Sequence, residues 1–379
     1  MKKKVLILAD WFAPAFKAGG PVQSLNNLTR QYRDATQYFD VVARNTDHDG
    51  TPLPVTSGKW TLYCDRVRVC YMASGTSLWQ WYRVLKNGKA SVWYINGIYS
   101  PLFNLLPILL PTKAQKIIAP RGMLDAGALS QKALKKQLYV ALLKGLRIHK
   151  SCIFHAASKE EYNSIRAVFG AAASIYQIAN YPKILPLLPP EQKEVGQLRL
   201  VSVALVGPMK NHLLVLQALQ QCTNTVEYDI YGPILDETYW QQCLPLLEQM
   251  PANVKVQYHG NIPPEQVTAV LQKAHVFIQP SKSENFGHSL YEALVSGRPI
   301  ITSHTTPWND LAVAEAGMNV AIDGYNDIKT AIDFFAAMNH EQYQQWSVSA
   351  RNYVEKAIDI DAIQAGYEAM FAQVTKLKA

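Results

Sequence analysis

Short apolar segments alternate with helical segments along most of the chain, and this alternation limits the possible folds more than any other feature. Val5–Ala9 is an apolar run that suits a strand buried on both faces, as in a parallel sheet. Pro21, after the loop that follows, suits a first helical turn, where its missing N–H costs nothing. Strands that alternate with helices indicate βαβ units, so we predict an α/β fold with doubly wound sheets.

The same alternation continues through both halves of the chain. Further strands are predicted at residues 39–43, 67–72, 91–95, 116–119, 152–156, 198–205, 226–231, 254–259, 276–279 and 299–303. Helices are predicted at residues 21–33, 129–147, 159–169, 212–221, 237–249, 264–273 and 289–295. Residues 181–196 carry four prolines, which predicts a linker without regular structure. We therefore predict two Rossmann-like domains, at 1–180 and 197–355, that face one another across a cleft.

The charge is divided unevenly between the two halves. Residues 1–180 carry 24 Lys/Arg and 9 Asp/Glu, a balance of +15, whereas the remaining residues have a balance of −7. Such halves are expected to meet different partners. The five cysteines are scattered without a C-x-x-C pair, which indicates buried thiols in the cytoplasm. No apolar stretch reaches the ~20 residues of a spanning helix, and Asp10 interrupts the only signal-like start.

Two common nucleotide-binding motifs are missing from the sequence. The first strand is followed by Ala18-Gly19-Gly20-Pro21 in place of G-x-G-x-x-G, which argues against a dinucleotide-dependent dehydrogenase. The sequence contains no G-x-x-x-x-G-K-[ST], which argues against a P-loop kinase or ATPase. The histidines lack metal-ligand spacing, so no metal site is predicted.

The most informative motif spans residues 279–294, where a strand ends, a short loop follows and a helix begins. Free N–H groups around Phe286–Ser289, at the start of that helix, favour a phosphate. Glu284 and Glu292 are eight positions apart, which nearly repeats one face of a helix, so both carboxylates are expected to reach one ligand. The alternative is a solvated acidic helix with an ordinary capping loop, but Asn-Phe-Gly-His between the glutamates favours a ligand site.

This stretch resembles the signature of retaining glycosyltransferase family 4, which has the GT-B fold. The pattern P-S-x-x-E-x-F-G at 280–287 is followed by the second glutamate at 292. The resemblance covers nearly the whole chain, with further matching segments at 18–20, 178–180, 230–233, 258–262 and 276–281. It implies that residues 356–379 form a helix that crosses back to the first domain. It also implies a nucleotide-diphosphate sugar, a UDP- or GDP-sugar, as donor.

The resemblance implies a role for each matching residue. Glu292 would bind the donor ribose, Glu284 would face the sugar near the reacting centre, and Lys210 would neutralise the diphosphate. Further donor contacts would come from Gly19, Gly20, Asn211, Gly232, Asn285, Phe286, Gly287, His288 and Ser289.

The sequence departs from the family pattern at two places. Leu205 stands where an arginine is usual, five residues before Lys210, so Arg298 and Arg121 are candidate replacements. The usual histidine at a strand end of the first domain is missing, and residues 119–125 stand there instead. Arg121 and Asp125 are therefore candidate catalytic residues that touch the sugar or the acceptor, unless the segment is only a structural turn.

The implied reaction is the transfer of a sugar, with retention, to a hydroxyl of a glycan or lipid-linked acceptor, without a metal or other cofactor. Bacterial O-antigen, capsule or lipopolysaccharide synthesis is the expected setting. The alternatives are a GT-B epimerase and, because of Leu205, a protein that binds nucleotide sugars without transferring them.

Residues 130–150 form a basic amphipathic segment that can contact an anionic membrane at the inner face of the plasma membrane. Its expected contacts are Lys132, Lys135, Lys136, Lys144 and Arg147. The alternative is a helix packed on the core with a solvated cationic face. No nucleic-acid-binding motif accompanies the charge, so nucleic acid is not a predicted partner.

Overall fold

A computed structural model describes residues 3–87, 89–125 and 133–372. The chain divides into two compact units, the first at 1–182 with 360–379 and the second at 183–359. Lys132 and the predicted helical residues 129–132 lie outside the described residues. In the described part of the chain, every helix is too short or too polar to cross a bilayer.

The first unit is built on a sheet that is parallel except at one edge. Its strands are β1 Lys3–Ala9, β2 Gln37–Arg44, β3 Trp60–Cys64, β4 Val67–Met72, β5 Val92–Asn96, β6 Gln115–Ala119, β7 Cys152–Ala156 and β8 Ser174–Gln177. They are ordered β3-β4-β2-β1-β5-β6-β7-β8, and only the β3–β4 pair is antiparallel. The central strands are buried on both faces, as the apolar run at β1 predicts.

Helices cover both faces of this sheet. They are α1 Gly20–Gln31, α2 Leu78–Asn87, α3 Leu106–Leu109, α4 Ala133–Gly145, α5 Ile148–Ser151 and α6 Lys159–Phe169, with a π-helical turn at Pro101–Leu105 before α3. Leu6 and Leu8 of β1 share one hydrophobic core with Trp81 of α2 and Leu143 of α4. Both α2 and α4 therefore pack on the same face of the sheet.

The second unit repeats the architecture with a smaller sheet. Its strands are β9 Gln197–Val203, β10 Thr225–Tyr231, β11 Val254–Gly260, β12 Val276–Gln279, β13 Ile300–Ser303 and β14 Gly317–Val320. Its helices are α7 His212–Leu219, α8 Glu237–Glu248, α9 Val267–Lys273, α10 His288–Val295, α11 Asn326–Ala337 and α12 His340–Ala357. The strands are all parallel and are ordered β11-β10-β9-β12-β13-β14. The last helix, α13 Ile360–Ala372, belongs to the first unit.

The strand order of the second sheet reverses between β9 and β12. From β9 the chain builds outward through β10 and β11, then returns to the other side of β9 with β12. In open α/β sheets the crevice at the carboxyl ends of two such strands is the usual place for a ligand. The loops that follow β9 and β12 are therefore the first places to look for a site in this unit.

Several elements differ from the prediction. The predicted strands and the helix at 159–169 are present to within a few residues, whereas β3, β8, β14, α2, α3, α5, α11 and α12 were not predicted. The helix predicted from 264 begins at Val267, because Pro263 and Pro264 occupy the turn before it. The segment at 181–194 has neither helix nor strand.

Candidate functional site

The second unit brings Lys210 and Glu284 into contact at the switch between β9 and β12. Lys210 lies in the loop between β9 and α7, and Glu284 lies in the loop between β12 and α10. The Lys210 ammonium forms an ion pair with Oε1 of Glu284. The two loops are also joined by their backbones, since the Lys282 N–H donates to the Met209 carbonyl at 2.9 Å. Two residues that are 74 positions apart in sequence thus share one site.

The Glu284 carboxylate is held by neutral donors as well. Its Oε1 accepts from Nε2 of Gln279 and from Oγ of Ser281, both at 2.8 Å. Gln279 is fixed in turn, because its Oε1 accepts from the Ser289 hydroxyl at 3.1 Å. The side chains of Lys210 and Glu284 are 22% and 12% exposed, so the pair is partly accessible to a ligand.

Helix α10 begins at His288, after Gly287 in the left-handed region at φ 72°. Glu292 is therefore one turn inside the helix, and Glu284 precedes the helix by four residues. Helical spacing consequently does not relate the two glutamates, and that part of the prediction is wrong. Glu292 is buried at 3% exposure, whereas Glu284 lies at the carboxyl end of β12.

Phe286 packs in an aromatic cluster at the start of this helix. Its ring packs against His288 at 4.8 Å and Trp308 at 5.8 Å between ring centroids. The Trp308 indole N–H donates to the Phe286 carbonyl at 2.8 Å. The aromatic cluster therefore holds the loop at 285–287, while Asn285 itself is exposed. The free N–H groups of a helix start make this place suitable for an anion.

The lysine is followed by two residues with unpaired buried groups. Asn211 is left-handed at φ 63° and directly precedes α7. Among the described residues, neither its Nδ2 nor either ring nitrogen of His212 has a hydrogen-bond partner. Burial, and secondarily the charge of Lys210, lowers the pKa of His212 to about 4. The imidazole is therefore neutral at physiological pH and does not add to the positive charge of Lys210.

Gly232 is required by the packing at the end of β10. It has φ 137°, and a Cβ there would lie 1.9 Å from the carbonyl oxygen of Ala204. The carbonyl of Gly232 accepts from the Tyr258 hydroxyl at 2.8 Å. The glycine thus lets the loop that contains Leu205 pack against β10. Its predicted contact with the donor stays a prediction.

Arg298 does not replace the arginine that is usual at the position of Leu205. The expectation that it supplies this cation is therefore wrong. The residue is completely buried. Its guanidinium donates to the carbonyls of Leu271 and Pro189 at 2.8 Å, and to those of Gln272 and Gly297 at longer distances. Arg298 therefore ties together backbone segments of the second unit.

In the first unit, Arg121 is the centre of a polar network. Its Nε donates to Oδ1 of Asn96 at 2.7 Å, one terminal nitrogen donates to Tyr94 at 2.8 Å, and the other donates to Asn180. The residue is left-handed at φ 58°, and the backbone N–H of Gly122 donates to Glu161 at 2.8 Å. These contacts favour a structural role, and the predicted contact with substrate stays a prediction.

The other predicted residues of the first unit lie at the start of α1 and in the turn that contains Arg121. Gly19, at φ 70°, precedes α1, and Gly20 is the first residue of that helix. Oδ1 of Asp125 is buried without a partner among the described residues. Asp10, which was not predicted as a site residue, lies at the end of β1 and accepts from Arg44 and Ser100 at 2.7 and 2.8 Å. Asp10 could have been recognised as a candidate site residue only from its position between β1 and β5, where the strand order reverses.

His155 extends the Arg121 network, and no motif in the sequence indicates it. Its Nδ1 accepts from the Tyr94 hydroxyl at 2.6 Å, and its Nε2 donates to the Ile178 carbonyl at 2.8 Å. Burial, and secondarily the Arg121 charge, lowers the pKa of His155 to about 3. The network therefore requires the neutral imidazole.

We expect the free energy of unfolding of the first unit to fall as the pH drops from about 6.5 toward 3. In that pH window His155 is protonated in the unfolded chain and neutral in the folded chain, which favours the unfolded chain. The stability that depends on the neutral imidazole is therefore complete only above pH 6.5. The expected loss between pH 7 and 5 is about 2 kcal/mol. Urea unfolding of His155→Gln at both pH values should show a smaller difference than wild type. The exposed control His48→Gln should keep the full difference, and equal differences in all three proteins would contradict the assignment.

Known proteins are similar to this chain in part of its sequence and in its fold. Residues 188–353 match the family model described as Glycosyl transferases group 1. Sucrose-phosphate synthase from Thermosynechococcus elongatus has a similar structure, with a TM-score of 0.73, 16% identity, and coverage of 99% of this chain and 100% of that one. HepE of Anabaena in complex with UDP and glucose gives a TM-score of 0.69 at 13% identity, with 98% and 100% covered.

A third similar structure is WaaG, a glycosyltransferase involved in lipopolysaccharide biosynthesis, with a TM-score of 0.57, 13% identity, and coverage of 98% and 100%. No curated protein sequence gives a significant match. The family match lies within the second unit and contains Lys210, Glu284 and Glu292. The two parallel-sheet units and the similar structures confirm the predicted α/β, GT-B fold. Residues 188–353 therefore match the model of a Glycosyl transferases group 1 domain within a chain of GT-B fold, in agreement with the predicted enzyme class, a glycosyltransferase.

Proposed function

We propose that the protein is a retaining, family 4 glycosyltransferase that moves a sugar from a UDP- or GDP-sugar to a hydroxyl of a glycan or lipid-linked acceptor. The observation that carries the proposal is the contact between Lys210 and Glu284 at the switch between β9 and β12, beside the start of α10. A cation and a helix N-terminus at one place suit a diphosphate, and a fixed carboxylate beside them suits sugar hydroxyls.

The positive groups at this site are suited to stabilise a leaving diphosphate. When the bond from the anomeric carbon to the phosphate oxygen breaks, its electron pair stays on that oxygen, where Lys210 and the N–H groups at the start of α10 stabilise it. The acceptor oxygen bonds to the anomeric carbon on the same face, and its proton passes to the leaving phosphate oxygen. The same chemistry runs without a bound metal or other cofactor in this proposal.

Glu284 acts in this proposal by binding the sugar and not as a nucleophile. Oε1 already accepts from Lys210, Gln279 and Ser281, which fixes the carboxylate and occupies this oxygen. A carboxylate held in this way is well placed to accept from a sugar hydroxyl through its second oxygen. Glu292 would bind the donor ribose, and the backbone amides at 285–289 would bind the sugar and the diphosphate.

Two of the similar proteins support the choice of substrates. HepE of Anabaena is described as binding UDP and glucose, which supports a UDP-sugar donor. WaaG is described as acting in lipopolysaccharide biosynthesis, which supports a bacterial surface polysaccharide such as lipopolysaccharide, O-antigen or capsule.

Helix α4 supports a peripheral contact with the inner face of the plasma membrane. Leu138, Leu142 and Leu146, four residues apart, are 64%, 49% and 47% exposed. Lys135, Lys144 and Arg147 beside them are exposed as well. The opposite side of the helix, with Val140 and Leu143, packs on the core. An apolar stripe flanked by cations is typical of a helix that lies on an anionic bilayer.

The substitution of Leu205 for the usual arginine leaves a second candidate, a protein that binds nucleotide sugars without transferring them. Calorimetry with UDP- and GDP-sugars, combined with release of nucleoside diphosphate across candidate acceptors, separates the two. We expect acceptor-dependent release from wild type and a large loss in Glu284→Ala. Equal release from both proteins with every acceptor would exclude transfer, and donor turnover without an acceptor would indicate an epimerase.

A further inference from the structure

The first unit contains a pocket that has no place in the transfer reaction. It has a volume of about 550 Å³ and lies between α2, the start of β5 and the segment after α3. Its walls include Tyr82, Trp93 and Leu110, and its cations are Lys86, Lys89 and Lys113. The pocket therefore combines aromatic and apolar walls with three ammonium groups.

These ammonium groups have no carboxylate partner in the described part of the chain. Among the described residues, none of Lys86, Lys89 and Lys113 forms an ion pair with a carboxylate. The sequence accounts for this, because residues 66–124 contain no Asp or Glu at all. Three lysines at one pocket repel one another in water, so the site favours an anion such as a phosphate.

Exposed apolar side chains at the start of α2 and the end of α3, called the rim here, adjoin in sequence the segments that line the pocket. Leu78 and Trp79, in the first turn of α2, are 66% and 64% exposed, and Leu109 is 49% exposed. Arg83 lies over the Trp79 ring at 4.6 Å, and Lys86 lies over the Tyr82 ring at 4.9 Å. Exposed Trp and Tyr beside cations are typical of surfaces at a bilayer interface, where the ring enters the bilayer and its polar edge stays hydrated.

We propose that this pocket binds the phosphate of an anionic phospholipid headgroup, while Leu78, Trp79 and Leu109 enter the interfacial region of the bilayer. The proposal rests on the membrane contact proposed for α4 and extends it to a second, aromatic helix. The two helices share one core on one face of the sheet, so their exposed sides belong to the same layer of the first unit. An acidic protein or a nucleic acid would meet the charge but would leave the apolar rim in water.

Vesicle binding tests the proposal directly with the full chain. Flotation compares vesicles of phosphatidylcholine alone with vesicles that also contain phosphatidylglycerol. The test variant is Lys86→Gln/Lys89→Gln/Lys113→Gln, and its matched control is Lys255→Gln/Lys273→Gln/Lys356→Gln, which removes three exposed lysines of the second unit. We expect binding only to the anionic vesicles and a loss on the order of 100-fold in the test variant, while the control binds like wild type.

A second measurement detects insertion of the aromatic rim. Vesicles with brominated acyl chains quench tryptophans that enter the bilayer, so we expect quenching in wild type and much less in Trp79→Phe. Soluble glycerol phosphate should not compete with the vesicles for the protein at concentrations that match the lipid phosphate. It lacks the acyl chains that contact the rim. Full competition by glycerol phosphate would instead mean a site for free phosphate and would overturn the proposal.

Other outcomes also decide against the pocket. Equal losses in the test and control variants would mean that net charge alone drives binding. Unchanged binding in the test variant, with a loss on Leu138→Ser/Leu142→Ser, would assign the membrane contact to α4 only. Transfer to a water-soluble acceptor is measured in parallel, so failure of the lipid site and failure of the transferase proposal are distinguishable.

Discussion

Lys210→Ala should lower kcat/KM for sugar transfer by a factor on the order of 10³. Loss of one fixed group that stabilises developing charge in a transition state has effects of this size in other enzymes. Lys210 is the cation at the switch between β9 and β12, and neither Leu205 nor the buried Arg298 can replace its charge. The measurement is steady-state release of nucleoside diphosphate with saturating acceptor, together with the dissociation constant of the donor.

Lys282→Ala is the matched control for this substitution. Lys282 is exposed in the same loop as Glu284, and its backbone N–H, which any residue supplies, makes the contact to Met209. We expect its kcat/KM to stay within about twofold of wild type, as for a rim charge with no transition-state role. Glu284 keeps the donors Gln279 and Ser281 in Lys210→Ala, so the site should stay folded. Near-normal activity of Lys210→Ala would contradict the proposed site.

Gly232→Ala should lower the free energy of unfolding of the second unit by about 4 kcal/mol, at the upper end of single substitutions. The new Cβ would lie 1.9 Å from the Ala204 carbonyl oxygen and 2.6 Å from its carbonyl carbon. Both are backbone atoms at the end of β9, so relief requires that two adjacent strands move apart. Urea unfolding followed by circular dichroism measures the change.

Gly260→Ala isolates the cost of the backbone conformation from the cost of the clash. Gly260 ends the neighbouring strand β11 at φ 73°, and a Cβ there would have nothing within 4 Å. Only the left-handed conformation is then penalised, by about 1 kcal/mol. If Gly232→Ala were as stable as Gly260→Ala but failed to bind the donor, the glycine would serve the ligand and not the packing.

Much of the fold follows from local sequence, and the exceptions have physical reasons. Strands such as β1 and β12 are continuous apolar runs because they are buried on both faces. β3 is a half-exposed edge strand without such a run, and β14 begins at Gly317, so neither has the pattern. Helix α2 was missed because its exposed side carries Leu78 and Trp79 where a polar face is normal.

The sequence indicated two residues that the structure places in contact, but it did not indicate how they meet. Lys210 and Glu284 were assigned to one ligand from the family resemblance, and the structure brings them together. Their contact depends on β9 and β12 being neighbours, which is a property of strand order and not of local sequence. The network of Arg121, Tyr94 and His155 joins three separate segments, so no spacing in the sequence indicates it.

The path of the chain has a consequence for synthesis on the ribosome. The first unit is interrupted after residue 182 and resumes only at residue 360 with α13. Tyr367 and Phe371 of this helix are buried in contact with His155 and Tyr94, in the interior of the first unit. Because translation runs from the N-terminus, the second unit can complete its core while the first unit still lacks these side chains. The unit that begins first is thus the last to be finished, and until α13 emerges its open face is available to chaperones.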